Sequence, residues 1–341
     1  MNHTIIIAEA GVNHNGDLNI AKEMIRSAAK AGADFVKFQT YKTEKLVTQS
    51  ALLTNYQKKN LNSLSEIRQY ELLKKYELDY DSHIELINCC QRNNIKFLST
   101  AFDMESIDLL NTLDIPFFKI PSGEITNLPY LEKIATTRKP VVISTGMSDI
   151  TEIRASLNVF FANGYNNDDI SVLHCNTQYP TPMEDVNLNA MKTISNTFNV
   201  SVGYSDHTLG IEIPIAAVSL GASIIEKHFT LDRTLSGPDH KASLVPRELE
   251  KMIECIRNIE KAMGSGDKSP SKSELDNKVI ARKSICIKTH IRPGEILKSD
   301  DIIMLRPGDG ISPMEYKKIL GHRVLNELFP GQKLQWKDLQ N

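Results

Sequence analysis

The sequence predicts an α/β fold, a (β/α)8 barrel followed by a small carboxyl-terminal domain, and three observations carry that prediction. Eight short apolar or β-branched runs recur before residue 230, each ending in polar or glycine-bearing residues. Segments that repeat apolar residues at spacings of three and four, the helical period, separate most of them. The glycine fingerprint of the main competitor, a doubly wound open sheet, is missing, since GVNHNG after the first run does not fit GxGxxG.

Each unit can be read in turn. IIIAEAG (5–11) leads to the helical pattern LNIAKEMIRSAAKAGA, and FVKFQTY (35–41) leads to SEIRQYELLKKYE and DSHIELINCCQRN. KFLSTAF (96–102) precedes MESIDLLNTL, FFKIPSGE (117–124) precedes LPYLEKIAT, and PVVISTG (140–146) precedes ITEIRASLNVFFA. After SVLHCN (171–176) the pattern is weakest, with LNAMKTISNTF as its helix candidate. VSVGYSDH (200–207) is followed by IPIAAVSLGA, and SIIEKHF (223–229) by PRELEKMIECIRNIEKAMG (246–264). The barrel is therefore assigned to residues 1–263. The stretch 264–281 is rich in Gly, Ser, Pro and charge and reads as a linker. Residues 282–341 carry short strand-like runs and turn signals at RPGE, RPGDG and FPGQ. So short a segment is expected to have little core of its own and to dock against another surface.

Composition narrows the function classes. With 341 residues, 41% of them apolar and 24% charged, the chain reads as an ordinary soluble protein. A formal charge of −2 gives no broad basic surface, so nucleic acid is not an expected partner. The five cysteines, Cys89, Cys90, Cys175, Cys255 and Cys286, are odd in number and lack CxxC spacing, which argues against a disulfide framework or a zinc ribbon. MNHTIIIAEAG lacks the long apolar region of a signal peptide, and no segment approaches the roughly 20 apolar residues of a membrane span. The expected location is cytoplasmic.

In a barrel the carboxyl ends of the strands face one common mouth. VGYSDHTLG and IIEKHFTLD each deliver a histidine there, so His207 and His228 are candidates to share a metal ion or substrate; the alternative is two unrelated loop histidines. Two histidines alone leave a metal site incomplete, and oxygen ligands from substrate and water suit Mn²⁺ or Mg²⁺ better than structural zinc. Strand alternation puts Ser205 with His207, Glu226 with His228, Lys37 with Gln39, and His174 with Asn176 on shared faces. Lys37 and Lys119 end otherwise apolar runs, where a buried lysine is costly unless it meets an anion. With Thr100, Ser122 and Ser144 they would form a phosphate and carboxylate pocket. The alternatives are pairing with structural carboxylates or a Schiff-base role. Glu9 and Glu124 follow the first and fourth runs, where a carboxylate can bind metal, orient a hydroxyl or exchange a proton.

The motifs AEAGVNHNG, VKFQT, FLSTAF, KIPSGE, ISTGM, LHCNTQYPTP, VGYSDHTLG, EKHFTLD and SGPDHKAS together resemble those of bacterial sialic acid synthases, a family that includes legionaminic and pseudaminic acid synthases. The tail, RKSICIKTHIRPGEILKSDDIIMLRPGDGISP, resembles their SAF (antifreeze-protein-like) domain. The resemblance implies a metal-dependent condensation of phosphoenolpyruvate with the open-chain aldehyde of an N-acylated mannosamine-type sugar, with phosphate released by C–O cleavage. It implies that His207 and His228 hold the metal, Mn²⁺ ahead of Mg²⁺, which polarises the aldehyde oxygen.

Carried over residue by residue, Lys37, Thr100, Lys119, Ser122, Ser144 and Ser205 match phosphoenolpyruvate-binding positions. Glu124 matches a carboxylate that positions the sugar and manages protons, Glu9 a first-strand acidic site residue, and Tyr179 and Asp239 sugar contacts. Arg306 matches an SAF-domain arginine that reaches the neighbouring subunit's barrel, which implies a domain-swapped homodimer. An asparagine is also expected from NYQKKNLNSLSEI, with Asn60 and Asn62 both eligible. SGE and TQYPT differ from the pseudaminic versions of these motifs, while AEAGVNHNG, STAF and GYSDHTLG lean towards the legionaminic branch over the N-acetylneuraminate one. Two rival readings stand beside this one: a Schiff-base aldolase-type lyase using Lys119 or Lys37, and a non-catalytic sugar-binding protein.

Overall fold

A computed structural model describes residues 3–53 and 68–340. Two compact units divide between Gly264 and Ser265. In the first, eight parallel strands alternate with helices: β1 Ile5–Gly11, α1 Leu18–Ala31, β2 Phe35–Thr40, α2 Tyr80–Arg92, β3 Lys96–Ala101, α3 Met104–Thr112, β4 Phe118–Ile120 and α4 Leu128–Thr136. There follow β5 Val141–Ser144, α5 Ile150–Ala162, β6 Ile170–Cys175, α6 Asn189–Phe198, β7 Ser201–Asp206, α7 Glu212–Ser219, β8 Ile224–His228 and α8 Pro246–Ala262. The weakest sequence pattern, in the 180s and 190s, does form a helix. Shorter helices at Thr43–Leu46 and Gln69–Tyr76 lie between β2 and α2.

The hydrogen-bonded strand order is β3-β2-β1-β8-β7-β6-β5-β4, and the two ends of that row, β3 and β4, pack against each other. The barrel is nearly closed, with its seam between these two strands. The strands are buried almost throughout because helices cover their outer face, which is why they read as apolar runs and not as alternating ones. The helices begin where a short polar side chain satisfies their free amides. Asp17, Asp79, Asp103, Asn127 and Asp149 each accept a bond from a backbone N–H of the first turn of α1 to α5. Ile25, Leu86, Ile107, Ile134, Leu157 and Ile256 lie in the continuous core between helices and strands.

The second unit pairs β9 Ser284–Ile287 antiparallel with β10 Ile302–Leu305. Contrary to the expectation of little core, Ile285, Ile287, Leu297, Ile319, Val324, Leu328 and Leu334 build an apolar cluster within it. Several backbone bridges, including Ile291 with Leu328 and Val324 with Leu339, substitute for longer strands. The segment read as a linker contains a helix, Leu275–Ala281, and clusters with this unit. Among the described residues no helix is long and apolar enough to cross a membrane.

Candidate active site

Strand register decides which side chains meet. Glu9 of β1 is level with Lys37 of β2 on one side and His228 of β8 on the other. Glu226 of β8 is level with Ser205 of β7, which is level with Cys175 of β6. These two tiers line one cavity of about 620 Å³ in the barrel, a size that suits small metabolites. Of the predicted site residues, Glu9, Lys37, Thr100, Lys119, Ser122, Ser144, Tyr179, Ser205, His207, His228 and Asp239 all line it.

Two lysines and two glutamates form its buried floor. Lys37 Nζ lies 2.6 Å from Glu9 Oε2 and 3.7 Å from Glu226 Oε2, and it donates to Thr100 Oγ1 at 2.9 Å. Lys119 Nζ lies 3.3 Å from Glu226 Oε1, which also accepts from Ser205 Oγ at 3.2 Å. The pairing expected as an alternative is therefore present, and it coexists with a cavity. Burial works against both carboxylates, but Lys119 and Lys37 flank Glu226 and hold it below the usual range. Glu9 goes the other way: burial outweighs its attraction to Lys37, and Glu226 repels it, so its proton is held more tightly. Burial lowers Lys119, whereas Glu226 and Glu9 overcome the same penalty and raise Lys37. Glu226 is the principal site residue to which sequence reading gives no role. Its place beside His228 on one strand face is visible in the sequence, but its partners depend on the register of four strands.

Beside these groups are the two imidazoles, with ring centroids 5.5 Å apart. Burial holds His207 down to about 4 and His228 well below its usual value, so both are neutral and able to offer a lone pair. His207 Nδ1 donates to the Asn176 carbonyl, which leaves its Nε2 as the lone-pair nitrogen, the arrangement common behind metal-bound histidines. His228 Nδ1 is buried without a hydrogen-bond partner among the described residues. Gly11, at φ +53, makes room for that ring, since a Cβ there would lie 3.2 Å from His228 Cε1. Among the described residues no group of three His, Cys, Asp or Glu side chains could hold a metal ion. A cation at the histidine pair would therefore have to take its other ligands from water or substrate oxygens.

The remaining wall offers groups for a polar ligand. The Tyr179 ring stacks on His207 at 3.9 Å. Ser144 Oγ and Asp239 Oδ1 are buried without a hydrogen-bond partner among the described residues, and burial pushes the Asp239 carboxyl up to about 7. Ser122 Oγ accepts from the Gly146 amide at 2.9 Å.

Two predicted residues lie elsewhere. Glu124, in the single helical turn Ser122–Glu124, is not among the cavity-lining residues and accepts a bond from Asn127 Nδ2 at 2.6 Å. Arg306 is exposed, just after β10 in the second unit. Asn60 and Asn62 lie outside the described residues. On β6 the face assignment reverses: His174 bonds the Val186 carbonyl and packs near Tyr204, and Cys175 is the residue that lines the cavity.

Comparison with known proteins identifies the family. The NeuB family matches residues 24–268, and the SAF domain matches residues 282–340. The N,N'-diacetyllegionaminic acid synthase of Campylobacter jejuni is 53% identical over 321 residues, 94% of this chain and 96% of that protein. The enzyme of the same name from Legionella pneumophila is 45% identical, covering 98% of this chain and 94% of its own length. The crystal structure of N-acetylneuraminic acid (sialic acid) synthetase from Leptospira borgpetersenii serovar Hardjo-bovis, in complex with citrate, superposes with a TM-score of 0.71 at 36% identity, covering 81% of this chain and 90% of that one. Agreement in sequence over nearly the whole chain, on a barrel with this mouth, makes the chain a member of the NeuB family with a carboxyl-terminal SAF domain.

Proposed function

We propose that this chain condenses phosphoenolpyruvate with an N-acylated mannosamine-type sugar to give a nine-carbon α-keto acid. The observation that carries the proposal is the floor of the cavity: two buried lysines among Thr100, Ser144 and Ser205, next to two neutral imidazoles. Lys37 and Lys119 supply the charge that a phosphate and a carboxylate need, and the hydroxyls of Thr100, Ser122, Ser144 and Ser205 supply directed hydrogen bonds. Tyr179 and Asp239 face the acceptor sugar, with Asp239 taking a hydroxyl or amide hydrogen on its unpartnered oxygen.

A divalent cation held by His207 and His228, Mn²⁺ ahead of Mg²⁺, supplies Lewis-acid polarisation of a carbonyl oxygen when bound. The barrel residues align C3 of phosphoenolpyruvate with the aldehyde carbon, and the new C–C bond leaves C2 oxocarbenium-like. Water adds to C2, and the tetrahedral intermediate expels phosphate by C–O cleavage. Glu9, with its raised affinity for a proton, is a cavity carboxylate suited to proton exchange; Glu124 would have to turn inward to share that role.

Relatives named as N,N'-diacetyllegionaminic acid synthases at 53% and 45% identity support 2,4-diacetamido-2,4,6-trideoxymannose as acceptor ahead of N-acetylmannosamine. The proposal includes a barrel over 1–263, an SAF domain over 282–341, and a domain-swapped homodimer in which Arg306 serves the barrel of a second copy. The test is phosphate release from phosphoenolpyruvate with Mn²⁺, comparing those two sugars with and without EDTA. Release with one sugar that stops on chelation supports the proposal, and the faster sugar names the product. Activity that survives EDTA, together with borohydride trapping of a covalent adduct, would establish the Schiff-base reading instead.

A further inference from the structure

The loop after β1 carries a motif that the chemistry above does not use. Asn13, His14 and Asn15 follow Glu9 closely in sequence, yet none of them lines the cavity. Asn13 is buried, and its Nδ2 donates to the Phe229 carbonyl and to Ser243 Oγ, each at 2.9 Å. Ser243 Oγ in turn donates to the Asp239 carbonyl at 2.7 Å. His240, the next residue, is neutral because burial lowers it to about 4. Its Nε2 lies 3.2 Å from Asn15 Oδ1 and its Nδ1 2.7 Å from Thr230 Oγ1. With Asn15 accepting, Nε2 carries the proton and Nδ1 accepts from the threonine. Gly237 closes over this contact: a Cβ there would lie 2.6 Å from the His240 ring and 3.1 Å from Asn15 Oδ1.

We propose that Asn13, Asn15, His240 and Ser243 are positioning residues, a clasp between the loops after β1 and β8 that fixes Asp239 against the acceptor sugar. Pro238 and Asp239 line the cavity between the two anchors, Gly237 over His240 on one side and Ser243 on the other. Asp239 Oδ1 has no hydrogen-bond partner of its own among the described residues, so backbone anchors, and not side-chain bonds at that oxygen, determine where it points. The amide of Asn13 satisfies two acceptors at once, which ties the two loops in one register. The inference rests on the sugar-binding role proposed for Asp239 and adds what sets its place.

The test is steady-state kinetics on the full chain with Mn²⁺, phosphoenolpyruvate and whichever of the two sugars the wild type prefers. Ser243→Ala is expected to raise the KM for the sugar roughly tenfold, because small misplacements of a binding group are costly. The KM for phosphoenolpyruvate and kcat at saturating sugar should stay within about twofold. In an Asp239→Ala background the same substitution should have no further effect on the sugar, the signature of two residues acting through one contact. Asn15→Gly is the gentler variant, since Asn15 sits at φ 55 and glycine tolerates that backbone; it should raise the sugar KM about threefold. An unchanged sugar KM in both variants, an equal rise in both substrates' KM, or a full Ser243→Ala effect without Asp239 would overturn the clasp while leaving the reaction intact. A wild type that releases no phosphate with either sugar would overturn the functional reading, and the clasp with it.

Discussion

The two faces of β7 and β8 hold similar chemistry to opposite ends. On the inner face Ser205, Glu226, His207 and His228 look into the cavity. One residue along, on the outer face, Asp206 and Lys227 are equally buried and pair with each other. The outer pair is closed: Lys227 also donates to the Thr208 carbonyl at 2.6 Å, while Asp206 accepts from the Thr208 amide at 2.9 Å and hydroxyl at 3.1 Å. The inner set is open. Two lysines share Glu226, Glu9 pairs with Lys37, and a cavity remains beside them. Buried charge closed on itself braces the wall, and buried charge that borders a void can exchange its partners for an anionic ligand.

The sharpest way to break this contrast is to remove one lysine from each face. Lys227→Met leaves Asp206 buried without its cation and is expected to destabilise the barrel by about 3–5 kcal/mol. Urea denaturation reads that loss, and adding Asp206→Asn should restore much of it because the orphaned charge is gone. Lys119→Met should do the reverse. Stability should change little, since Glu226 keeps Lys37 and Ser205, while phosphoenolpyruvate affinity falls by roughly a hundredfold, about 3 kcal/mol for a charge-assisted contact. Calorimetry with phosphoenolpyruvate alone would show it. Equal phosphoenolpyruvate binding in Lys119→Met would place the anion pocket elsewhere. Between these in specificity is His207→Ala, expected to weaken Mn²⁺ binding tenfold or more in a titration without substrate; an unchanged titration curve would remove His207 from the ligand set.

The inner face is largely legible in the sequence because each strand ends in a short polar signature, and period-two alternation then chooses the inward residue. That logic alone suffices to place Lys37, Ser205, His207 and His228 at the mouth. It fails at β6, where it favours His174 over Cys175. One polar residue in a strand buried on both faces does not reveal which face it occupies. The outer pair is not legible at all. Asp206 reads as ordinary turn chemistry, and its partnership with Lys227 depends on β7 and β8 running level there. The role of Glu226 is hidden for the same reason: alternation sets it on the face of His228, but nothing in EKHF indicates that lysines from β2 and β4 converge on it.

A third site calibrates the comparison by removing a polar group that is neither buried nor facing the cavity. Asp149 caps α5, accepting from the Thr151 and Glu152 amides, while Glu152 returns a bond to the Asp149 amide. Asp149→Ala breaks that box at the protein surface, where water can replace the lost acceptor, and is expected to cost about 1 kcal/mol. Urea denaturation should detect the loss, and phosphoenolpyruvate affinity should be unchanged. A loss as large as that of Lys227→Met would mean that α5 and its cap carry more of the barrel's stability than the buried pair does. The contrast between closed and open charge would then fail as an account of what holds this wall together. A loss near the expected size would instead isolate desolvation as the difference, because both substitutions delete a hydrogen-bonding group and only one strands a charge away from water.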